Sequence, residues 1–129
     1  MPTALITGAS RGLGLALARE LAHRGWTLLL DARGAAALDT VGRELAAHTH
    51  VVAIPGDVSD PAHREALAAA ARELGGLDAL VNNASILGPS PRPDLLDYPL
   101  DALAQVFAVN TIAPLGLIQA LRHELRPGA

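Results

Sequence analysis

Lysine and cysteine are both missing from this sequence, and its 129 residues hold one Trp, one Tyr and one Phe. Without cysteine, neither a disulfide nor a thiolate nucleophile can enter the argument. Without lysine, all ten basic side chains are arginines. A basic excess is lacking too: the formal net charge of −3 argues against a nucleic-acid surface, which needs a clustered basic face. No run approaches the ~18 apolar residues of a membrane span, and the N-terminus has no basic leader region. Internal repeats, low-complexity tracts and linkers are absent as well. These absences lead us to expect a soluble, cytoplasmic chain that binds neither nucleic acid nor membrane.

Half the residues are apolar, so a substantial core is expected and disorder is not. The length suits a single domain over residues 1–129, able to bury roughly two thirds of its unfolded surface. Short apolar runs alternate with longer helical stretches. Ala4-Leu5-Ile6, Thr27 to Leu30, Val51 to Ile54 and Leu77 to Val81 read as strands. Leu13, Leu17 and Leu21 recur at helical spacing, as do Leu38, Val41 and Leu45 despite Gly42. Asp60-Pro61 opens a third helix, cap followed by first-turn proline, with Leu67, Ala71 and Leu74 facing inward before Gly75-Gly76 stop it. Residues 86–99 hold four prolines and read as a loop, and a last helix runs from about Leu100 to Leu125. Unbroken apolar strands alternating with helices predict an α/β fold: a doubly wound, Rossmann-like parallel sheet. Right-handed crossovers with a reversal after the third strand give the order 3-2-1-4.

Between the first strand and first helix lies TGASRGLG, Thr7 to Gly14. Gly8 permits a tight turn, Gly12 removes a Cβ that would block a pyrophosphate, and Gly14 lets helix and strand pack closely. The helix's free N–H groups and dipole favour an anion there. A ligand-free glycine turn has the same composition. Two more polar, small-residue signals lie on the same rim, however: Asp57-Val58 after the third strand and Asn82-Asn83-Ala84-Ser85 after the fourth. Taken singly, Asp57 reads as a loop cap and the Asn pair as a turn.

Thr7-Gly8-x-x-x-Gly12-x-Gly14, Asp57-Val58, Asn82-Asn83-Ala84 and Val109-Asn110 together resemble, in order and spacing, the N-terminal half of a short-chain dehydrogenase/reductase. The resemblance implies a dinucleotide ligand. Thr7, Gly8, Ser10, Arg11, Gly12, Leu13 and Gly14 would hold its pyrophosphate and adenosine ribose. Asp57 and Val58 would contact the adenine. Asn83 and Ala84 would approach the nicotinamide-side ribose, with Asn82 tying strands together. Ser85 stands where the family usually has Gly, so its side chain is expected to crowd that ribose slightly.

After the second strand comes Leu30-Asp31-Ala32-Arg33. An acid at the strand end would accept from a ribose 2′-OH and select NAD, whereas an Arg would hold the 2′-phosphate of NADP. By the resemblance, Arg33 falls on the basic position of NADP users and the NAD-type acid would fall on Ala32. Asp31 is one step early, which turns its side chain to the other face. Arg11 adds a second positive charge, so NADP is expected over NAD; an ordinary solvated Arg pair is the alternative.

Asn110 shares a helical face with Leu103, Val106 and Phe107. It reads either as a packing Asn bonded to nearby backbone or, by the resemblance, as one member of a catalytic tetrad. Pro114 has no N–H for the Asn110 carbonyl, which could then hold a water. The Ser and Tyr-x-x-x-Lys that complete the family's chemistry are not found: Tyr98 is followed four residues later by Ala102. The expectation is thus an NADP-dependent oxidoreductase interconverting alcohol and carbonyl, present as an N-terminal fragment that binds cofactor. A small carbonyl or alcohol substrate enters only with a C-terminal half. The alternative is a non-catalytic dinucleotide-binding or protein-interaction module. His48-Thr49-His50 lacks a third ligand at a telling spacing, so no metal is expected, and His63 and His123 read as surface residues. An unpaired Leu77–Val81 edge and apolar surface at Val106, Leu117 and Leu121 predict a homo-oligomer or aggregation.

Overall fold

The computed structural model describes residues 1–129. Four parallel strands form the sheet: β1 (Thr3–Ile6), β2 (Thr27–Ala32), β3 (Val51–Pro55) and β4 (Ala79–Val81). Their order is β3-β2-β1-β4, as the apolar runs and crossover rule predict. Register is continuous, with Ile6 beside Leu30 on one side and Val81 on the other. The central strands β1 and β2 are buried on both faces, which explains why they read as unbroken apolar runs.

Helices α1 (Gly12–His23) and α2 (Ala35–Ala46) cover one face, and α3 (Pro61–Glu73) covers the other with α5 (Ala113–Leu121). Asp60 caps α3, its carboxylate accepting from the Ala62 N–H at 3.0 Å. In α1 the buried stripe is Gly14, Ala18 and Ala22, not the leucine stripe. Small residues let this helix approach the sheet closely; Leu17 and Leu21 pack at its flanks, and Leu13 is 76% exposed.

The last helix holds more than its periodicity showed. Between α4 (Leu100–Phe107) and α5, residues Ala108–Ile112 make one π-helical turn ahead of Pro114. A missing N–H relieved by one wide turn is a familiar cause of such a bulge. Leu100–Leu121 thus forms a 22-residue helix of mean hydropathy 1.4, long and apolar enough by those measures to cross a membrane. This corrects the expectation that nothing approaches such a span: Asp101, Gln105, Asn110 and Gln119 interrupt any consecutive run without bringing the average down. One side of it packs as a core helix, with Val109 and Ala113 against Val58, and Leu117 and Leu121 against Leu5, Leu29 and Leu67.

Two further expectations are corrected at this end of the sheet. Leu117 and Leu121 are buried; the exposed apolar face is instead Phe107, Ile112, Leu115 and Ile118. The edge at Leu77 is also paired, because the chain returns after α5. Leu77 N–H donates to the Glu124 carbonyl at 2.7 Å and Arg126 N–H to the Leu77 carbonyl at 2.9 Å, making a parallel bridge to Leu125. Arg126 fixes the return through Asp78 and the Gly75 carbonyl. Beyond that bridge, β4 pairs only with β1.

Candidate functional site

The rim where β1, β3 and β4 end is organised around Thr7. Its hydroxyl oxygen accepts from the N–H groups of Asn83 (3.0 Å) and Ala84 (2.9 Å), and donates to the Val81 carbonyl. The Asn83 amide returns the tie, donating to the carbonyls of Thr7 (3.1 Å) and Gly8 (3.2 Å). Asn83 therefore joins the strand ends, the role expected of Asn82, which is exposed. Buried, Thr7 supports the site from beneath.

This closeness dictates the glycines. Gly8 has φ +65°, and a Cβ there would lie 2.9 Å from the Ala84 Cα. A Cβ on Gly14 would stand 2.4 Å from the Gly8 carbonyl oxygen and 2.5 Å from Asn83 Nδ2. Gly12 differs: a Cβ there would meet nothing within 4 Å, because Gly12 borders open pocket. Helix α1 begins at Gly12 with Arg11 as its N-cap, no capping side chain and no acid in its first turn. Its leading N–H groups are left for an outside acceptor.

The resulting cavity measures about 500 Å³. It brings together Gly8, Ser10, Arg11, Gly12, Arg33, Asp57, Val58, Asn83, Ala84 and Ser85, ten of the residues the sequence singled out. Thr7, Leu13, Gly14 and Asn110 lie outside its lining. Thr7 and Gly14 shape it from behind, while Leu13 has its side chain in solvent and belongs to the first turn of α1. Asp57 is held below the usual carboxylate range, chiefly by the Ser59 N–H at 2.9 Å and, against some burial, by the Ser59 hydroxyl at 2.8 Å, Arg33 and His63.

Asn110 clamps the loop after β4. Its Oδ1 accepts from the Ile86 N–H and its Nδ2 donates to the Ile86 carbonyl, both at 2.8 Å. Ile86 in turn lines the pocket. Side-chain bonds to neighbouring backbone are what the packing reading expects of Asn110, and they leave its main-chain carbonyl, on which the tetrad reading turns, uninvolved. Tyr98 lies away from the cavity, its hydroxyl over Gly88.

Sequence reasoning missed His63, placed on the surface but in fact 7% exposed. Its Nε2 lies 2.7 Å from Asp31 Oδ2, and Asp31 is 1% exposed at the end of β2. Burial raises the Asp31 pKa against the opposing pull of His63 and the Gly8 N–H. The signal was available: His63, Leu67 and Ala71 recur at helical spacing on the inward face of α3. His48 meets His23 rather than a metal-like cluster, their rings 4.6 Å apart.

Residues 2–128 match the short chain dehydrogenase family. The chain is 38% identical over 120 residues to 1-deoxy-11-beta-hydroxypentalenate dehydrogenase of Streptomyces avermitilis, covering 92% of this chain and 44% of that protein. The Pseudomonas aeruginosa RhlG/NADP active-site complex superposes with a TM-score of 0.85 at 36% identity, covering 99% of this chain and 49% of that one. L-sorbose reductase of Gluconobacter frateurii, complexed with NADPH and L-sorbose, superposes with a TM-score of 0.89 at 29% identity, covering 98% and 48%. The chain spans about half the length, or less, of these relatives.

Proposed function

The chain belongs to the short-chain dehydrogenase family, and from that premise we propose that its rim pocket holds a dinucleotide, NADP(H) in preference to NAD(H). The observation that carries this is the convergence of an uncapped helix N-terminus, the open cradle at Gly12 and two arginines, Arg11 and Arg33, in one cavity. An anion there meets N–H donors, a helix dipole and two guanidinium groups. That donor set fits the phosphates of the cofactor bound in the Pseudomonas and Gluconobacter structures.

In this reading residues 1–129 act as one soluble, cytoplasmic dinucleotide-binding domain. The α1 N-terminus and Ser10 hold the pyrophosphate, and Arg33 with Arg11 neutralises the 2′-phosphate. Asp57 and Val58 border the adenine, while Asn83, Ala84 and Ser85 border the nicotinamide-side ribose. Asn110 positions the Ile86 wall through its two hydrogen bonds. A bound nicotinamide supplies or accepts a hydride, so the whole protein would be an oxidoreductase interconverting a small alcohol and carbonyl. Thermal unfolding checks the binding step. NADP+ is expected to raise the midpoint more than NAD+ at equal concentration, since a ligand stabilises by mass action. No shift with either nucleotide would overturn the proposal.

A second reading concerns these 129 residues taken alone, as a non-catalytic dinucleotide-binding or protein-interaction module. The 129 residues contain no lysine, and their only tyrosine is not followed by one at the required spacing. Proton transfer by a positioned group is worth ~10²–10⁴-fold, so these 129 residues by themselves are expected to bind NADPH without turning it over. Oxidation of NADPH followed at 340 nm across a carbonyl panel checks this. Steady turnover abolished by Asn110→Ala would contradict it.

A further inference from the structure

One acid borders the pocket without serving the role its place suggests. Asp31, on β2, lines the cavity beside the strand end where a carboxylate would read a ribose hydroxyl. Yet it is 1% exposed, and both of its carboxylate oxygens are engaged within the protein. Oδ1 accepts from the Gly8 N–H at 2.9 Å, and Oδ2 lies 2.7 Å from His63 Nε2. The His63 ring is fixed in turn by Gly56, also in the pocket lining, where a Cβ would stand 2.2 Å from Nδ1.

Asp31 grips the glycine turn through its backbone as well. Its main-chain carbonyl accepts from the Ala9 N–H at 2.8 Å, so one residue takes the N–H groups of two successive turn residues. The Thr7 N–H is spent on the Val81 carbonyl at 3.1 Å. Three consecutive N–H groups thus point into the protein, with Gly8 at φ +65° in the middle. The donors at the uncapped start of α1 come directly after this anchored stretch. A loose stretch would have to be ordered at every binding event, and that ordering costs affinity.

We propose that Asp31 is a positioning residue for the dinucleotide: held by His63, it anchors Gly8 and Ala9 so that the α1 N-terminus meets the pyrophosphate already ordered. The inference rests on the dinucleotide reading above and deepens it. The pyrophosphate is common to NAD(H) and NADP(H), so loss of the anchor weakens both cofactors alike. That separates Asp31 from Arg33, whose loss changes the preference between them. It also separates positioning from direct reading of the ribose, which would show in one cofactor only.

The test compares Asp31→Ala with Asp31→Asn by calorimetric titration of the full chain with NADP+ and with NAD+, well below each variant's thermal midpoint. Both substitutions remove the same charge, but only Asn keeps an acceptor for the Gly8 N–H and a group that can bond His63. Asp31→Ala should bind each cofactor about three- to tenfold more weakly than Asp31→Asn, with the ratio between the cofactors unmoved. A residue serving stability alone would lower the midpoint of Asp31→Ala and leave the affinities of the two variants equal, which overturns the inference. A loss confined to one cofactor overturns it too, because Asp31 would then be reading the ribose. If Asp31→Ala does not fold, His63→Leu against His63→Gln decides. The Gln amide can donate to Oδ2 and Leu cannot, so only Leu should lose affinity, again for both cofactors; equal affinities overturn the inference. Wild-type binding with no difference between the paired variants sinks this inference alone. No binding of either nucleotide by wild type sinks the dinucleotide reading and this inference with it.

Discussion

Asn83 connects sequence to site more directly than any other side chain. Its amide bonds two carbonyls of the glycine turn, and its own N–H reaches Thr7. Asn83→Ala leaves those carbonyls without their donor, so a loss of about 1–3 kcal/mol is expected in urea unfolding. An unchanged midpoint would show that water replaces the amide freely. Asp57 supplies a pH-dependent test. Its folded pKa is depressed, first by the Ser59 N–H. Its stabilisation is therefore present above the unfolded value and lost as pH falls through the folded one. Asp57→Ala should destabilise at neutral pH, with the gap to wild type closing as acid is added; a constant gap would contradict the assignment. At this scale the glycine turn and the Asn pair were legible because each follows an apolar strand at a short, fixed distance, but that Asn83 rather than Asn82 makes the tie was not. Its partners for Asp31 were not, since a carboxylate ending a buried strand announces burial without saying that His63 lies opposite.

Among the elements, β1 and β2 could be read from apolar continuity alone, because a strand covered on both faces admits nothing else. The face of α1 could not, because close approach to a sheet selects Gly14, Ala18 and Ala22 over the larger leucines. Nor could the return of the chain at Leu125, which rests on two backbone hydrogen bonds and an arginine rather than on a pattern. The helix from Leu100 to Leu121 keeps Phe107 52% and Ile112 60% exposed. An apolar face of this kind, beside a β4 edge paired only near Leu77, predicts self-association of the 129-residue chain. Sedimentation at roughly tens of micromolar should show dimers or larger species, reduced by pairing Phe107→Arg with Ile112→Glu. A sharp monomer profile for the unmodified chain would mean the face tolerates water.

For the molecule as a whole, the strand order brings the ends of β1, β3 and β4 to one rim, and that convergence turns separate weak signals into a single 500 Å³ cavity. Periodicity supplied the order, and the order supplied the site. What pattern alone could not reveal was the cavity's floor, where tertiary packing places Asp31 and His63. The central claim is that this cavity holds NADP(H) through Arg33, and one measurement addresses it most directly: calorimetric titration of the wild-type chain and of Arg33→Asp with both oxidised cofactors. A charge-assisted bond to the 2′-phosphate contributes ~1.5–3 kcal/mol, so wild type should prefer NADP+ by about tenfold or more. Arg33→Asp should abolish or reverse that preference while leaving NAD+ binding largely intact. Equal affinity of wild type for the two cofactors, or a preference unmoved by the substitution, would contradict the account.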